Sequence, residues 1–336
     1  MDNRNIIIDV SWSGLGGIGR FTDEVSKLIN GVSTKIIYAK CTSPFAPIGL
    51  SLNICLCRNV DLIFFPSYIP PLITFKKYVF TIHDLNHIDL PDNSSVLKKI
   101  FYRFIIKRGC RKANKIFTVS EFSKKRISDW SGVHPDKIIT VYNGVSEVFN
   151  QDVKPYLPGF SYLLCVSNRK THKNEHRIIS SFAKADINKS IKLVFTGIPT
   201  DELLMLAKKN GLTDRVIFYG FISDHELPSL YKGALGLIFP SLYEGFGLPV
   251  VEAMACGVPV LTSTTSSLPE IAGDAAILVD PLSEDEISNG ITSLVNDTGM
   301  REALIRKGII RAKKFSWHNV VKKIEKTLAE ECYGVK

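Results

Sequence analysis

Residues 243–260 read Tyr243-Glu-Gly-Phe-Gly-Leu-Pro-Val-Val-Glu252-Ala-Met-Ala-Cys-Gly257-Val-Pro-Val260. The stretch sets two carboxylates, Glu244 and Glu252, around a glycine-proline turn that opens a short helix. Pro249 suits the first helical position, where its missing N–H costs nothing, and Gly257 followed by Pro259 suits the stop. On that reading Glu252 falls in the first turn of the helix and Glu244 in the loop before it. Gly245 and Gly247 leave backbone N–H groups unshielded beside the positive helix end, a place for a phosphate or an array of sugar hydroxyls. A dipole-favouring acid in a βα turn accounts for Glu252 alone. It does not account for two glycines, a proline and a second glutamate in one register. A carboxylate that grips hydroxyls beside an anion site points to a nucleotide sugar.

Outward from this segment, strands and helices alternate in both halves, which predicts α/β architecture with two doubly wound parallel sheets. In the first half, strands are expected over Asn5–Ser11, Asp61–Phe65, Tyr78–His83 and Lys115–Val119. The second half restarts with Ser161–Val166 and continues with Lys192–Thr196, Val216–Tyr219, Gly236–Phe239 and Val258–Leu261. Between them Val153–Phe160, with Pro155, Pro158 and Gly159, reads as a linker. The expected division is therefore residues 1–152, then 153–316, then a helical segment 317–336. A chain of 336 residues fits two domains of about 150 residues better than one core.

Composition narrows the class. The apolar run Leu62–Phe75 is broken by Pro66, Pro70 and Pro71, short of the ~20 residues of a membrane span. The opening Met1-Asp-Asn-Arg-Asn5 lacks the charged-then-apolar plan of a signal peptide. Seven cysteines without metal-type spacing fit free thiols in a reducing compartment, so a cytoplasmic protein is expected.

Further motifs lie along the chain in order. The first half holds Gly17-Ile-Gly-Arg20, Ile82-His-Asp-Leu85, Thr118-Val-Ser-Glu-Phe-Ser123 and Val141-Tyr-Asn-Gly-Val145. The second holds Val216-Ile-Phe-Tyr-Gly-Phe-Ile-Ser223, Leu230-Tyr-Lys-Gly-Ala234 and Ser267-Leu-Pro-Glu-Ile-Ala-Gly-Asp-Ala-Ala276. Together with the E-x7-E segment, they make nearly the whole chain resemble the retaining glycosyltransferases of family 4, which have the GT-B fold of two Rossmann-like domains facing a cleft. His-Asp-Leu and the later His172-Lys-Asn174 are most similar to those of bacterial mannosyl- and rhamnosyltransferases of surface polysaccharide synthesis.

The resemblance implies a residue-by-residue assignment. Glu252 holds the donor ribose. Glu244, as a catalytic-site residue, and the backbone of Gly245, Phe246, Gly247 and Leu248 hold the donor sugar. Lys173 takes the place of the family's phosphate lysine. The family's usual glycine in that loop is Ser167 here, and Arg169 is inferred rather than matched as a second phosphate ligand. Cations there neutralise the leaving nucleoside diphosphate. His83 ends a strand, where open α/β sheets place their ligands, and the family's matching histidine faces the donor sugar. The terminal segment crosses back to the first domain in this fold. The implied reaction moves a hexose from a nucleotide sugar, GDP-mannose or similar, to a glycan acceptor, without cofactor or metal. The chain contains no D-x-D clamp.

Gly14-Leu-Gly16-Gly17-Ile-Gly19 is a literal G-x-G-x-x-G after the first strand, and an NAD-dependent oxidoreductase has to be weighed. That reading also needs an acid about 20 residues further on, and none stands between Glu24 and Asp61. Gly16 and Gly17 are better read as a close backbone approach to sugar or diphosphate, while Arg20 fits either a phosphate or a charge cap. A glycoside hydrolase places its two carboxylates across the scissile bond, whereas this pair is local in sequence beside an anion site. A sugar-nucleotide-binding protein without turnover remains the other alternative.

Charge is uneven. Residues 1–150 hold 20 basic and 12 acidic residues, against 22 and 21 in residues 151–336. Ser94–Ser120 alone holds eight basic residues and no acid, among them Lys98, Lys99, Arg103, Lys107, Arg108, Arg111 and Lys112. Val96, Ile100, Phe101, Phe104 and Ile105 fall between them at helical spacing. Such a helix either packs its apolar stripe on the sheet or lies on anionic lipid; the second places the protein on the inner face of the membrane with a lipid-linked acceptor. No nucleic-acid-binding module accompanies the charge.

Overall fold

The computed structural model describes residues 5–334. Residues 1–4, most of the charged opening read above, and residues 335–336 of the expected terminal segment lie outside the described residues. Contacts divide the chain into two units, one running to Gly144 and resuming at Trp317, the other spanning Val145–Ser316.

The first unit comprises β1 (Ile6–Asp9), α1 (Gly16–Leu28), β2 (Ser33–Lys35), α2 (Ala46–Cys55), β3 (Leu62–Phe65), β4 (Lys77–Thr81) and α3 (Asn86–Asp89). Next come α4 (Val96–Phe101), a π-helical turn over Tyr102–Ile106, α5 (Lys107–Lys112), β5 (Lys115–Thr118), α6 (Glu121–Ser131) and β6 (Ile138–Thr140). All pairings are parallel, in the order β2-β1-β3-β4-β5-β6. β3 is Leu-Ile-Phe-Phe with every side chain buried, the unbroken apolar run of a strand covered on both faces. One layer of core lies under α2 and α5; the other packs Phe21, Val25 and Phe64 against Trp317, Val320 and Ile324.

Those last three belong to the C-terminal helix, Trp317–Tyr333, which completes this unit. A side chain at Gly144 would run into the Trp317 ring at 2.4 Å, so the chain passes beneath that indole where the unit ends. The segment read as a linker from Val153 instead packs within the second unit. Tyr156 N–H donates to the Ser229 carbonyl at 2.9 Å, and its ring meets Tyr219 at 5.8 Å. The division falls after Gly144 rather than after residue 152, because the stretch from Val145 packs within the second unit: Val145 N–H donates to the Phe315 carbonyl at 2.8 Å and the Phe149 ring meets Tyr231 at 5.8 Å.

The second unit comprises β7 (Tyr162–Cys165), α7 (Glu175–Lys184), β8 (Lys192–Phe195), α8 (Asp201–Lys209), β9 (Val216–Phe218), α9 (Leu227–Gly233) and β10 (Gly236–Phe239). It continues with α10 (Leu248–Ala255), β11 (Val260–Ser263), α11 (Leu268–Ala272), β12 (Ala276–Val279), α12 (Glu284–Asn296) and α13 (Thr298–Ala312), and the terminal helix of the first unit is α14. Its sheet is again parallel, in the order β12-β11-β10-β7-β8-β9. The chain enters at β7, winds outward to β9, then returns to the other side at β10. The direction of winding thus reverses between β7 and β10. In sheets of this kind, the crevice beyond the strand ends at such a reversal is where ligands bind.

Candidate functional site: the reversal point of the second unit

The two loops at that reversal are the segments after β7 and after β10, and they hold Arg169, Lys173, Glu244 and the Gly245–Gly247 turn. Lys173 Nζ lies 2.6 Å from Glu244 Oε1, with both side chains mostly buried. The same ammonium sits 4.8 Å from the centre of the Phe239 ring at the end of β10. The loops are also tied backbone to backbone. The His172 carbonyl accepts from Leu242 N–H and from Ser241 Oγ, each at 2.8 Å. Burial holds the His172 imidazole below its ordinary pKa, so it is a neutral filler there.

The glycine loop is fixed by hydroxyls from the chain after β11. Ser266 Oγ accepts the Glu244 N–H at 3.1 Å; Ser267 Oγ donates to the carbonyls of Glu244 and Phe246 at 3.0 and 2.9 Å. Phe246 is buried, its ring edge-on to Phe315 at 5.4 Å, and Tyr243 of the same loop is buried as well, so aromatic rings anchor the loop in the core. Gly247 caps α10 with φ 101°, and a Cβ there would lie 2.6 Å from Leu268 Cδ2; only glycine fits. Gly245 is buried within the loop, and Leu248 begins the helix.

Glu252 departs from the sequence reading in one respect. The helix starts at Leu248, so Glu252 is past its first turn, and no acid lies in that turn. The carboxylate is almost fully buried and is held by the Tyr231 hydroxyl from α9, which donates to Oε2 at 3.0 Å. A buried carboxylate held by a hydroxyl is a hydrogen-bonding platform rather than a helix-dipole ornament.

Arg169 also differs from its expected role. Its Nε donates to the Ile198 carbonyl at 2.8 Å, Nη2 to the carbonyls of Thr196 and Gly197, and Nη1 pairs with the buried Glu175. The guanidinium packs over the Phe195 and Phe218 rings, at 5.7 and 5.1 Å. It therefore turns inward and binds the loop to β8, and the expected phosphate contact has few N–H groups left to serve it. Lys170, next in the chain, is exposed. Asn174 is a residue that sequence reasoning missed. It adopts φ 62°, which asparagine tolerates. Its Nδ2 donates to the carbonyls of Pro240 and Pro281 at 3.0 and 2.7 Å, joining three loops. The signal available was Asn after a short basic turn.

In the first unit, winding reverses between β1 and β3, and the glycine loop follows β1. Gly16 and Gly17 are exposed, with open space where a Cβ would stand, and Gly16 has φ 61°. Gly19, by contrast, would place a Cβ 2.6 Å from the Trp12 carbonyl, so it lets α1 lie against the turn. Asp23 holds the loop by accepting from Gly14 N–H at 3.1 Å and from the Ser13 hydroxyl. His83 follows β4. Its Nε2 donates to the Pro66 carbonyl at 3.0 Å, its ring meets Phe21 edge-on at 5.0 Å, and Ser123 Oγ donates to its carbonyl at 3.1 Å. A carbonyl can only accept, so Nε2 carries the proton and Nδ1 is the bare nitrogen of a neutral ring. Burial lowers its pKa to about 4, which keeps it so.

Two doubly wound parallel sheets, the second with a lysine-carboxylate pair and a capped glycine loop at its reversal point, agree with the GT-B expectation. Residues 19–148 match the family model described as Glycosyltransferase Family 4, and residues 150–311 match the one described as Glycosyl transferases group 1. O-antigen chain mannosyltransferase B of Escherichia coli is 30% identical over 258 residues, covering 73% of this chain and 68% of that protein. O-antigen chain mannosyltransferase RfbU of Salmonella typhimurium is 30% identical over 239 residues, covering 70% of this chain and 65% of that one. Among solved structures, Anabaena HepE in complex with UDP and glucose superposes with a TM-score of 0.78 at 18% identity, over 97% of this chain and 99% of that one. The chain belongs to glycosyltransferase family 4.

Proposed function

We propose that this glycosyltransferase is a retaining mannosyltransferase that transfers a hexose from GDP-mannose, or a closely similar nucleotide sugar, to a lipid-linked glycan in bacterial surface-polysaccharide synthesis. The single observation that carries the donor assignment is the Lys173–Glu244 pair that joins the two loops of one reversal point, with Glu252 in the helix that follows the second of them. In this reading Glu252 accepts from the ribose hydroxyls, and Glu244 with the Gly245–Leu248 backbone binds the sugar. Lys173, with exposed Lys170 beside it in the loop, meets the diphosphate. His83, neutral with Nδ1 bare, accepts a sugar hydroxyl. Gly16 and Gly17 let substrate approach the backbone closely. The mannosyl preference is taken from the names of the Escherichia coli and Salmonella relatives.

No residue need serve as covalent nucleophile. The acceptor hydroxyl attacks on the face that the diphosphate leaves, and the departing phosphate oxygen takes its proton, so the configuration at the anomeric carbon is kept. Lysine supplies the countercharge, so activity should persist in EDTA. The acceptor is reached at the cytoplasmic face of the membrane. This last part draws support from the basic segment, where Lys98, Lys99, Arg103, Arg108, Arg111 and Lys112 are exposed. Lys107 is different: it donates to the Trp130 carbonyl at 2.9 Å and belongs to the packing.

The test is turnover of GDP-, UDP-, dTDP- and ADP-sugars with a glycan acceptor, followed by diphosphate release and by proton NMR of the anomeric centre in the glycoside formed. GDP-mannose should be used, and the new linkage should be α. A β-linkage overturns the retaining mechanism. Turnover of a different donor alone overturns the mannosyl assignment.

A further inference from the structure

The exposed apolar surface of the first unit is not confined to the basic helix. α2 and its flanking residues carry apolar side chains on both faces: Ala46, Pro47, Leu50 and Ile54 are buried, while Phe45, Ile48, Leu52 and Leu56 are exposed. Leu52 is 66% exposed and Phe45, at the helix start, 67%. A helix that is apolar on both faces belongs in a two-sided apolar setting, and here only one side is covered by the chain. The outward face continues through the loop Pro70–Phe75. Leu72 N–H donates to the Pro47 carbonyl at 3.0 Å, and Ile73 N–H to Ser51 Oγ at 2.9 Å. The same loop meets the basic helix, for Arg108 donates to the Leu72 carbonyl and Gly109 packs on Pro70. One turn before Arg108 stands Phe104, itself 62% exposed. From Phe45 to Phe104 there is thus a connected apolar face.

Its charge surroundings select the occupant. Exposed Arg103 and Arg108 flank Phe104, Lys35 donates to Cys57 Sγ just past the end of α2, and Asp61 beside Phe75 is set against Lys76 and Lys77. A second copy of this chain would bring like charges together, whereas an anionic bilayer offers both the opposite charge and an apolar interior. We propose that the outward face of α2, with Ile73 and Phe104 beside it, is the apolar anchor that enters an anionic bilayer. The basic helix supplies the attraction that brings it there. The inference rests on the membrane-associated reading above and adds a salt-resistant component that basic residues alone do not give.

Co-sedimentation with phosphatidylglycerol–phosphatidylcholine vesicles at low and at high salt separates the two. Wild-type protein should bind at low salt and keep a bound fraction at 1 M salt, where charge attraction is screened to within about 3 Å. Replacing Phe45, Ile48 and Leu52 by Ser should lower the vesicle partition coefficient at high salt at least about tenfold. Donor-nucleotide binding and melting temperature should stay unchanged, and Leu52→Glu alone should act in the same direction. Binding that vanishes entirely at high salt, or an unaltered partition of both variants, overturns the α2 anchor and leaves the basic-helix reading standing. No binding at low salt overturns both. A wild-type dimer in sedimentation velocity that becomes monomeric in the triple variant overturns the anchor in favour of an interface between copies.

Discussion

Lys173 Nζ and Glu244 Oε1 lie 2.6 Å apart, although 71 residues separate them in the chain. The pair joins the loop after β7 to the loop after β10, and both members are nominated for the same donor, one for its diphosphate and one for its sugar. The site therefore holds its lysine and its carboxylate at a defined spacing, and a mostly buried pair of this kind is costly to break one-sidedly. Lys173→Ala should weaken nucleoside diphosphate far more than nucleoside monophosphate and should also loosen the glycine loop. Glu244→Gln should mainly reduce turnover of the sugar nucleotide while leaving free-nucleotide affinity nearly intact. Calorimetry on both variants checks this; equal loss of diphosphate and monophosphate in the lysine variant contradicts the assignment.

Arg169 gives an opposite expectation. Its guanidinium is spent on three carbonyls and on Glu175, so Arg169→Ala should act on stability first. Leaving Glu175 buried without its partner should cost about 3 kcal/mol or more, seen as a lower midpoint in chemical denaturation of the second unit. A variant of unchanged stability that has lost diphosphate affinity would return Arg169 to the phosphate site.

Protonation of His83 should destabilise the first unit in acid. Its pKa in the folded chain is lowered to about 4 by burial, while an unfolded histidine titrates near 6.5. The unfolded chain thus binds a proton that the folded chain refuses, so stability is intact above about pH 6.5 and is lost as pH falls toward 4. The loss should be on the order of 2–3 kcal/mol, measured by denaturation at stepped pH. His83→Asn should flatten this part of the profile; an identical slope in the variant would assign it to other groups.

Tyr231→Phe removes the hydroxyl that donates to Glu252 Oε2. A buried carboxylate deprived of one donor should cost about 1–2 kcal/mol of nucleotide affinity or stability. Retention of both would show that the hydroxyl only fills space.

Much of this was legible in the chain, and what escaped did so for physical reasons. Gly236–Phe239 and the fully apolar run within Asp61–Phe65 are central strands, buried on both faces, and their composition announces it. Ser33–Lys35 is a three-residue edge strand with all side chains exposed, so neither alternation nor an apolar run marks it. Ile138–Thr140 is likewise only three residues at a sheet edge, whereas Ala276–Val279 carries an apolar run that could have named it. In the basic segment the helical period misleads. A π-helical turn at Tyr102–Ile106 shifts the register. Tyr102, Ile106 and Cys110 face the core, while Val96, Ile100 and Phe104 of the expected packing stripe are exposed. At the site, the spacing around the glycine-proline turn named Glu244 and Glu252, and the family resemblance named Lys173. The inward turn of Arg169 and the hydroxyl contacts of Ser266 and Ser267 depend on chain segments distant in sequence, which no local pattern encodes.

The central claim is that the two loops at the β7–β10 reversal form a nucleoside-diphosphate site whose ribose is held by Glu252. Titration of GDP into wild-type protein and into Glu252→Gln by calorimetry tests it most directly. The account predicts that GDP binds and that the isosteric variant loses about 1.5–3 kcal/mol of affinity with an unchanged melting temperature. Equal affinity in the two proteins, or no binding of any nucleoside diphosphate by the wild type, would contradict it.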